Sequence, residues 1–194
     1  FIQNIMNNNE LQLPFNDSSH LTDASGGIIL RAPELGDLSL LFNIENDTSL
    51  WHYGCNTGPY SRYQMEQFIT QNSNDIYTDG QLRFMIAESN SPENVLGIAD
   101  VFCFDARNSR AEVGIMILKK FRGKGIAVKA LEMLHRHCFG FLGMHQLYAY
   151  IVKENTPAIK LFESCGYTYS GTLDSWIRRG ANYLDVCVYQ LVNG

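Results

Sequence analysis

The sequence lacks any apolar run near the roughly 18 residues that a membrane-crossing helix requires. Its opening residues, FIQNIMNNNE, have neither a basic segment nor an apolar core, so no secretory leader is expected there. Cysteines number five, namely Cys55, Cys103, Cys138, Cys165 and Cys187. None forms a CxxC pair and the count is odd, which suits reduced thiols and a cytoplasmic location better than a disulfide framework. Metal-binding spacing is also missing. His135 and His137 are two residues apart, and such positions face different ways on a helix. Basic side chains are scarce in the first 100 residues, 3 against 13 acidic, and the whole chain carries a net charge of −5. That balance excludes a general nucleic-acid binder.

What is present is 194 residues with 45% apolar and 18% charged side chains, enough for one globular domain with a sizeable core. Residues 1–26 are polar and read as an N-terminal tail. Residues 27–194 read as a single domain. The patterning predicts a strand over 27–33, helices over 33–47 and 61–71, and a strand over 81–89. A hairpin follows over 95–104 and 110–118, then a helix over 126–141 and a strand over 145–152. Thr156 and Pro157 suit the start of another helix, which Gly166 stops, and two strands close the chain. The order predicts an α+β fold with a mostly antiparallel sheet and one parallel β-α-β crossover.

The second part of the chain reverses the charge balance, with 12 basic and 7 acidic residues. Five cations and no acid lie between Lys119 and Lys129. They surround Arg122–Ala127, RGKGIA, at the junction of an apolar strand and an amphipathic helix. Unpaired N–H groups and the positive end of the helix dipole make such a junction an anion site. Gly123 and Gly125 permit a left-handed backbone and close approach. A P-loop would need GxxxxGK followed by Ser or Thr, and a dinucleotide fingerprint would need Gly where Val128 stands.

RGKGIA also matches the R/Q-x-x-G-x-G/A signature of the GNAT superfamily of N-acetyltransferases. ENTPAIKLFESCGY resembles that family's second signature, and the strand AEVGIMI precedes the loop as it does there. The likeness runs from about Gly27 to Val192. Its layout is most similar to the spermidine and ribosomal-protein-alanine N-acetyltransferases, with IRRGANYLDVCVYQL as the late hairpin. The resemblance implies a GNAT-type fold and a transferase that moves acetyl from acetyl-CoA to a primary amine. The acceptor would be a small molecule such as a polyamine, or a protein N-terminus. Nucleic acid and membrane are not expected as partners, and self-association is left open.

The resemblance also assigns sites. The backbone of Arg122, Gly123, Lys124, Gly125, Ile126 and Ala127 would hold the pyrophosphate. The backbone of Ile115 and Ile117 would pair with the pantetheine arm, and Asn155 and Ala158 would contact the cofactor from the far side. Glu112 is the candidate base, with His52, His145 and water as the other sources of one. Trp51, Tyr53, Tyr60 and Trp176 are candidate walls of the acceptor site. Phe162 departs from the family, in which many members place a tyrosine acid at that point, and this keeps a second reading in play: a weak or silent CoA-binding module. Cys55–Tyr60 lacks the acidic pair that spermidine-like relatives carry near there.

Overall fold

Strand patterning dominates the chain, and the computed structural model, which describes residues 21–23, 26–51 and 57–194, builds an eight-stranded sheet from it. The strands are β1 (Leu21–Thr22), β2 (Ile28–Arg31), β3 (Leu82–Glu88), β4 (Ser91–Asp105), β5 (Arg110–Ile117), β6 (Gln146–Val152), β7 (Thr168–Arg179) and β8 (Asn182–Val192). Their spatial order is β1-β2-β3-β4-β5-β6-β8-β7, and every pairing is antiparallel except β5 with β6. The expected α+β architecture with one parallel crossover is therefore the one formed.

Among the described residues five α-helices flank the sheet: α1 (Leu38–Glu45), α2 (Arg62–Gln71), α3 (Ile76–Asp79), α4 (Ile126–His135) and α5 (Thr156–Ser164). Alternation along the central strands feeds two cores. Leu82, Phe84 and Ile86 of β3 and Ala111, Val113 and Ile117 of β5 face α4, which buries Ala130, Leu131, Met133 and Leu134. Burying each large side chain of this set contributes about 1.5–3 kcal/mol. On the other face Met85, Ile98 and Met116 meet Leu41 of α1 and Ile69 of α2. The cleft between the α1–α2 face and the end of β5 is what this layering leaves open.

Several details depart from the sequence expectation. Leu21 and Thr22, assigned to the polar tail, pair with Leu30 and Ile29, because Asp23 Oδ1 accepts the N–H of Gly27 at 2.7 Å and turns the chain back on β2. Of the proposed tail, residues 1–20, 24 and 25 lie outside the described residues. The first helix is shorter than predicted, since Leu35–Asp37 forms a 3-10 turn before it, and α3 was not foreseen. The long helix over 126–141 widens to a π-helix over Arg136–Phe141. A π turn falls behind the α-helical rotation, so Phe141, expected on the buried face, is exposed and stacks on His137 at 5.3 Å. Asn155 rather than Thr156 caps α5, its side chain accepting the N–H of Ala158 at 3.3 Å.

One close approach fixes β4 against β5 beside the cleft. Gly97 pairs with Ile117, and a side chain there would collide with the carbonyl oxygen of Met116. Gly97→Ala should therefore lower stability by about 1–3 kcal/mol through overpacking, read as a fall in Tm. A variant that melts with the parent would show that β4 and β5 separate freely at this point.

Candidate active site

The site begins where a ladder stops. β5 and β6 pair only as Arg110–Gln146, Ala111–Leu147 and Glu112–Tyr148, although β5 runs on to Ile117 and β6 to Val152. Backbone groups beyond the last pair need other partners. A cavity of about 1040 Å³ opens there and is lined by Gly114, Ile115, Met116 and Ile117 on one side and by Asn155, Pro157, Ala158 and Leu161 on the other. An extended ligand with amide groups can pair with the freed edge of β5 as an added strand would.

The glycine turn closes this end of the cavity, with Arg122, Gly123, Gly125, Ile126 and Ala127 in its wall. Gly123 and Gly125 adopt φ of 75° and 74°, and nothing lies within 4 Å of a side chain placed at either. Both therefore have the left-handed backbone that glycine tolerates and leave room above the α4 N-terminus, where Gly125 is the cap. The Arg122 side chain turns inward, its Nε donating to the carbonyl of Ile117 at 2.9 Å. That bond ties the loop to the last residue of β5. Lys124 is exposed and outside the lining, its Nζ 5.6 Å from the Phe121 ring.

The opposite end of the cavity is aromatic and charged. Trp51 and Tyr60 line it, as the sequence suggested, with Phe68 and Phe102. The Trp51 indole donates to the carbonyl of Glu45 at 2.8 Å, and Asn46 clasps Tyr60 through both its carbonyl and its N–H. Tyr53 and His52 lie outside the described residues. Trp176 is not brought to this group; it is 58% exposed on β7 and absent from the lining. Phe162 is buried, its ring edge-on to Tyr167 at 4.9 Å, so the helix turn that carries it presents Leu161 and Ala158 to the cavity instead.

Three charged residues at this end were not picked out from the sequence. Arg83 Nε and Nη2 donate to Asp100 Oδ1 and Oδ2 at 2.8 and 3.1 Å, and Nη1 donates to Glu45 at 2.5 Å. All three line the cavity. Burial opposes the charge on Arg83, but the two carboxylates hold its pKa above the ordinary arginine value. A signal existed. Arg83 and Asp100 interrupt the apolar runs QLRFMI and GIADVF, and a charged residue in a buried strand asks for a partner.

Glu112 sits at the branching point itself, half-buried and two residues before Gly114 on the same strand face. It lies beside the cavity rather than in its lining. Burial pushes its carboxyl up to about 7, and the backbone N–H of Tyr150 offsets this in part. Tyr148, its cross-strand neighbour, is raised to about 12 by burial first and then by the Glu112 charge.

This fork, glycine turn and helix N-terminus coincide with a family. The sequence model of the acetyltransferase (GNAT) domain matches residues 28–168. The chain belongs to the GNAT acetyltransferase family. Among its relatives is the spermidine N(1)-acetyltransferase of Vibrio cholerae, 26% identical over 160 residues, which covers 82% of this chain and 89% of the relative. An uncharacterised N-acetyltransferase, p20 of Bacillus licheniformis, is 30% identical over 166 residues, covering 85% and 92%. The crystal structure of the Vibrio cholerae spermidine N-acetyltransferase with CoA and spermine superposes with a TM-score of 0.76 at 25% identity, over 86% of this chain and 95% of that one. The protein is thus an acyltransferase that uses acetyl-CoA as co-substrate, and the silent-module reading finds no support among these relatives.

Two outcomes follow from the geometry. Gly125→Asp, which forces a side chain onto a φ of 74° and adds negative charge at the α4 N-terminus, should abolish the rise in Tm that acetyl-CoA gives the parent. An unaltered rise would remove the turn from the cofactor site. The second concerns Glu112. Its folded pKa of about 7 exceeds the ordinary glutamate value of about 4.5, so the native state binds the extra proton and loses stability relative to the unfolded chain as pH rises through that interval. Glu112→Gln should melt above the parent at pH 8, with the difference gone near pH 4. Equal melting at both values would mean that the carboxyl is well hydrated.

Proposed function

We propose that the protein acetylates a polyamine-type primary amine, with Glu112 as general base. The observation that carries this reading is one continuous cavity that joins the glycine turn to an end walled by aromatic side chains and by Glu45, Arg83 and Asp100. Glu45 and Asp100 bring two carboxylates to that end, which suits a cationic acceptor better than one that carries a carboxylate. The negative charge absent from Cys55–Tyr60 is supplied here by residues of α1 and β4. The likeness to enzymes named for spermidine supports the same acceptor class.

The residues divide the work as follows. N–H groups of Arg122–Ala127 hold the pyrophosphate of acetyl-CoA at the α4 N-terminus. The unpaired edge at Ile115 and Ile117 pairs with the pantetheine amides, and an N–H there faces the thioester oxygen as charge develops on it. Asn155 and Ala158 bound the arm from α5. Trp51 and Tyr60 hold the alkyl part of the acceptor. An alkylammonium has a pKa near 10 and must lose a proton before it attacks. A carboxylate titrating near 7 can take that proton, directly or through water, at neutral pH. With phenylalanine at 162 the leaving thiolate departs without a tyrosine acid. A thiol pKa of about 8.5 makes that slower but feasible.

The test is thiol release from acetyl-CoA with spermidine and its analogues across pH. In the parent, kcat/KM should rise through a pKa of about 7 as Glu112 ionises. Glu112→Gln should lower kcat/KM at least about tenfold, lose that limb of the profile and still show the acetyl-CoA-induced rise in Tm. A Gln variant of parental kcat, with the limb near 7 intact, would move the base elsewhere. A parent inactive on polyamines but active on peptide N-termini would overturn the acceptor class. The odd cysteine count without a CxxC pair supports a cytoplasmic location. No helix among the described residues is long and apolar enough to cross a membrane.

A further inference from the structure

An acyl group at the tip of an arm paired with β5 has to turn aside at the fork, and the fold closes most directions there. Along the line of the strand the Glu112–Tyr148 pair shuts the space. Toward α4 stand Ala111 and Val113, 0% and 2% exposed. The cleft face of β5 stays open. Alternation puts Glu112, Gly114 and Met116 on that face, and the last two line the cavity.

Gly114 makes a small notch in this face. A carbon placed as its Cβ would meet Phe102 Cε1 at 3.3 Å, Asp100 Cβ at 3.9 Å and Phe102 Cζ at 4.0 Å. Carbons in ordinary contact lie about 3.5–4.0 Å apart, so one carbon fills the notch. Phe102 pairs with Glu112 in the ladder, yet its ring reaches diagonally over Gly114. The β4–β5 register shifts just after Phe102, and Cys103 takes a φ of 51°. An irregularity of that kind re-aims the side chain beside it. The second wall is held in place, since Arg83 donates to both oxygens of Asp100 at 2.8 and 3.1 Å. Phe102 is half-buried and lines the cavity, so its ring is the wall that a substitution can remove.

We propose that Phe102, standing over Gly114, is a length gauge for the acyl donor: the notch receives the methyl of an acetyl group and excludes thioesters with longer chains. This rests on the reading that the pantetheine arm pairs with the freed edge of β5. A propionyl group brings one more carbon into a space bounded by a ring already in contact and by a carboxylate held through two bonds. Either the ring turns out of its packed position or the thioester backs away from the N–H that faces its oxygen. Both weaken the longer donor. The chemistry is the same for every donor. The thioester C–S bond breaks, the amine nitrogen bonds the acyl carbon and gives up its proton, and the sulfur leaves as the CoA thiol. The gauge therefore acts on the donor, whatever the amine.

Donor binding needs no acceptor, so calorimetric titration with CoA, acetyl-CoA, propionyl-CoA and butyryl-CoA tests the gauge directly. The parent should bind propionyl-CoA at least about tenfold more weakly than acetyl-CoA, and butyryl-CoA no better. Phe102→Ala should bring propionyl-CoA level with acetyl-CoA or past it and leave the Kd of CoA near the parental one. Gly114→Ala fills the notch with a methyl of its own, and should weaken acetyl-CoA severalfold while CoA binds as before. Phe102→Leu is the milder change should Phe102→Ala not fold, and should shift the same ratio in the same direction. With spermidine as acceptor, the ratio of kcat/KM for propionyl-CoA over acetyl-CoA should rise in the Phe102 variants. A parent that binds the three thioesters alike overturns the proposal. So does an unmoved ratio in the Phe102 variants, because a purely structural role weakens CoA and every thioester in parallel. The arm reading fails on other evidence. If Gly125→Asp binds each thioester as the parent does, the cofactor lies elsewhere and the gauge falls with it; if that variant loses binding and the Phe102 ratios stay fixed, the gauge alone is struck.

Discussion

Two strands that begin as a parallel pair and then separate govern the rest of the molecule. Up to Glu112 and Tyr148 the chain satisfies its backbone in the ordinary way. Past that pair the edge of β5 opens onto a cavity, and the fold has to tolerate it. It does so by fastening β5 from its other side. β4 holds it over Gly97–Ile117 to Phe102–Glu112, with a glycine where the two backbones come closest. Arg122 then holds the final carbonyl of β5 from the loop that follows. A strand secured along one edge and at its tip can leave the other edge to a ligand.

The glycine turn and the α5 entry were legible in the sequence because their requirements are local. A left-handed backbone at Gly123 and Gly125 needs glycine, and a helix entry at Asn155–Pro157 needs a capping side chain and a residue that tolerates a missing N–H. Such demands are written into residue type at fixed spacing, so RGKGIA and ENTPAIKLF could be read in place. The sheet order was legible for a similar reason, since alternation and turn residues mark strands one at a time.

The aromatic and charged end of the cavity was less legible because it is assembled from distant positions. Glu45, Trp51, Tyr60, Arg83 and Asp100 come from four separate stretches, and only the packing of α1 and α2 on β3 and β4 makes them neighbours. Trp176 shows the converse difficulty. It stands between Leu173 and Ile177, where the β7–β8 register shifts and Ser175 takes a φ of 51°. A bulge breaks the two-residue alternation, so counting along the strand cannot say which face the indole takes. Phe141 was misplaced for the helical version of the same reason, a local change of winding.

The ion pairs of Arg83 with Asp100 and Glu45 couple segments that sequence-based engineering would treat as separable. The stretch from α1 to Tyr60 looks like a cassette, bounded by turns and rich in aromatic side chains. Glu45, however, shares its cation with Asp100, and the Trp51 indole hangs from the Glu45 carbonyl. Transplanting that cassette into a homologous scaffold without Arg83 and Asp100 would leave a carboxylate facing an incompatible floor. The reverse graft would leave half of a guanidinium unmet. Evolution along this lineage faces the same linkage: a change at any one of these three positions has to pass through an unbalanced intermediate or be matched by a second.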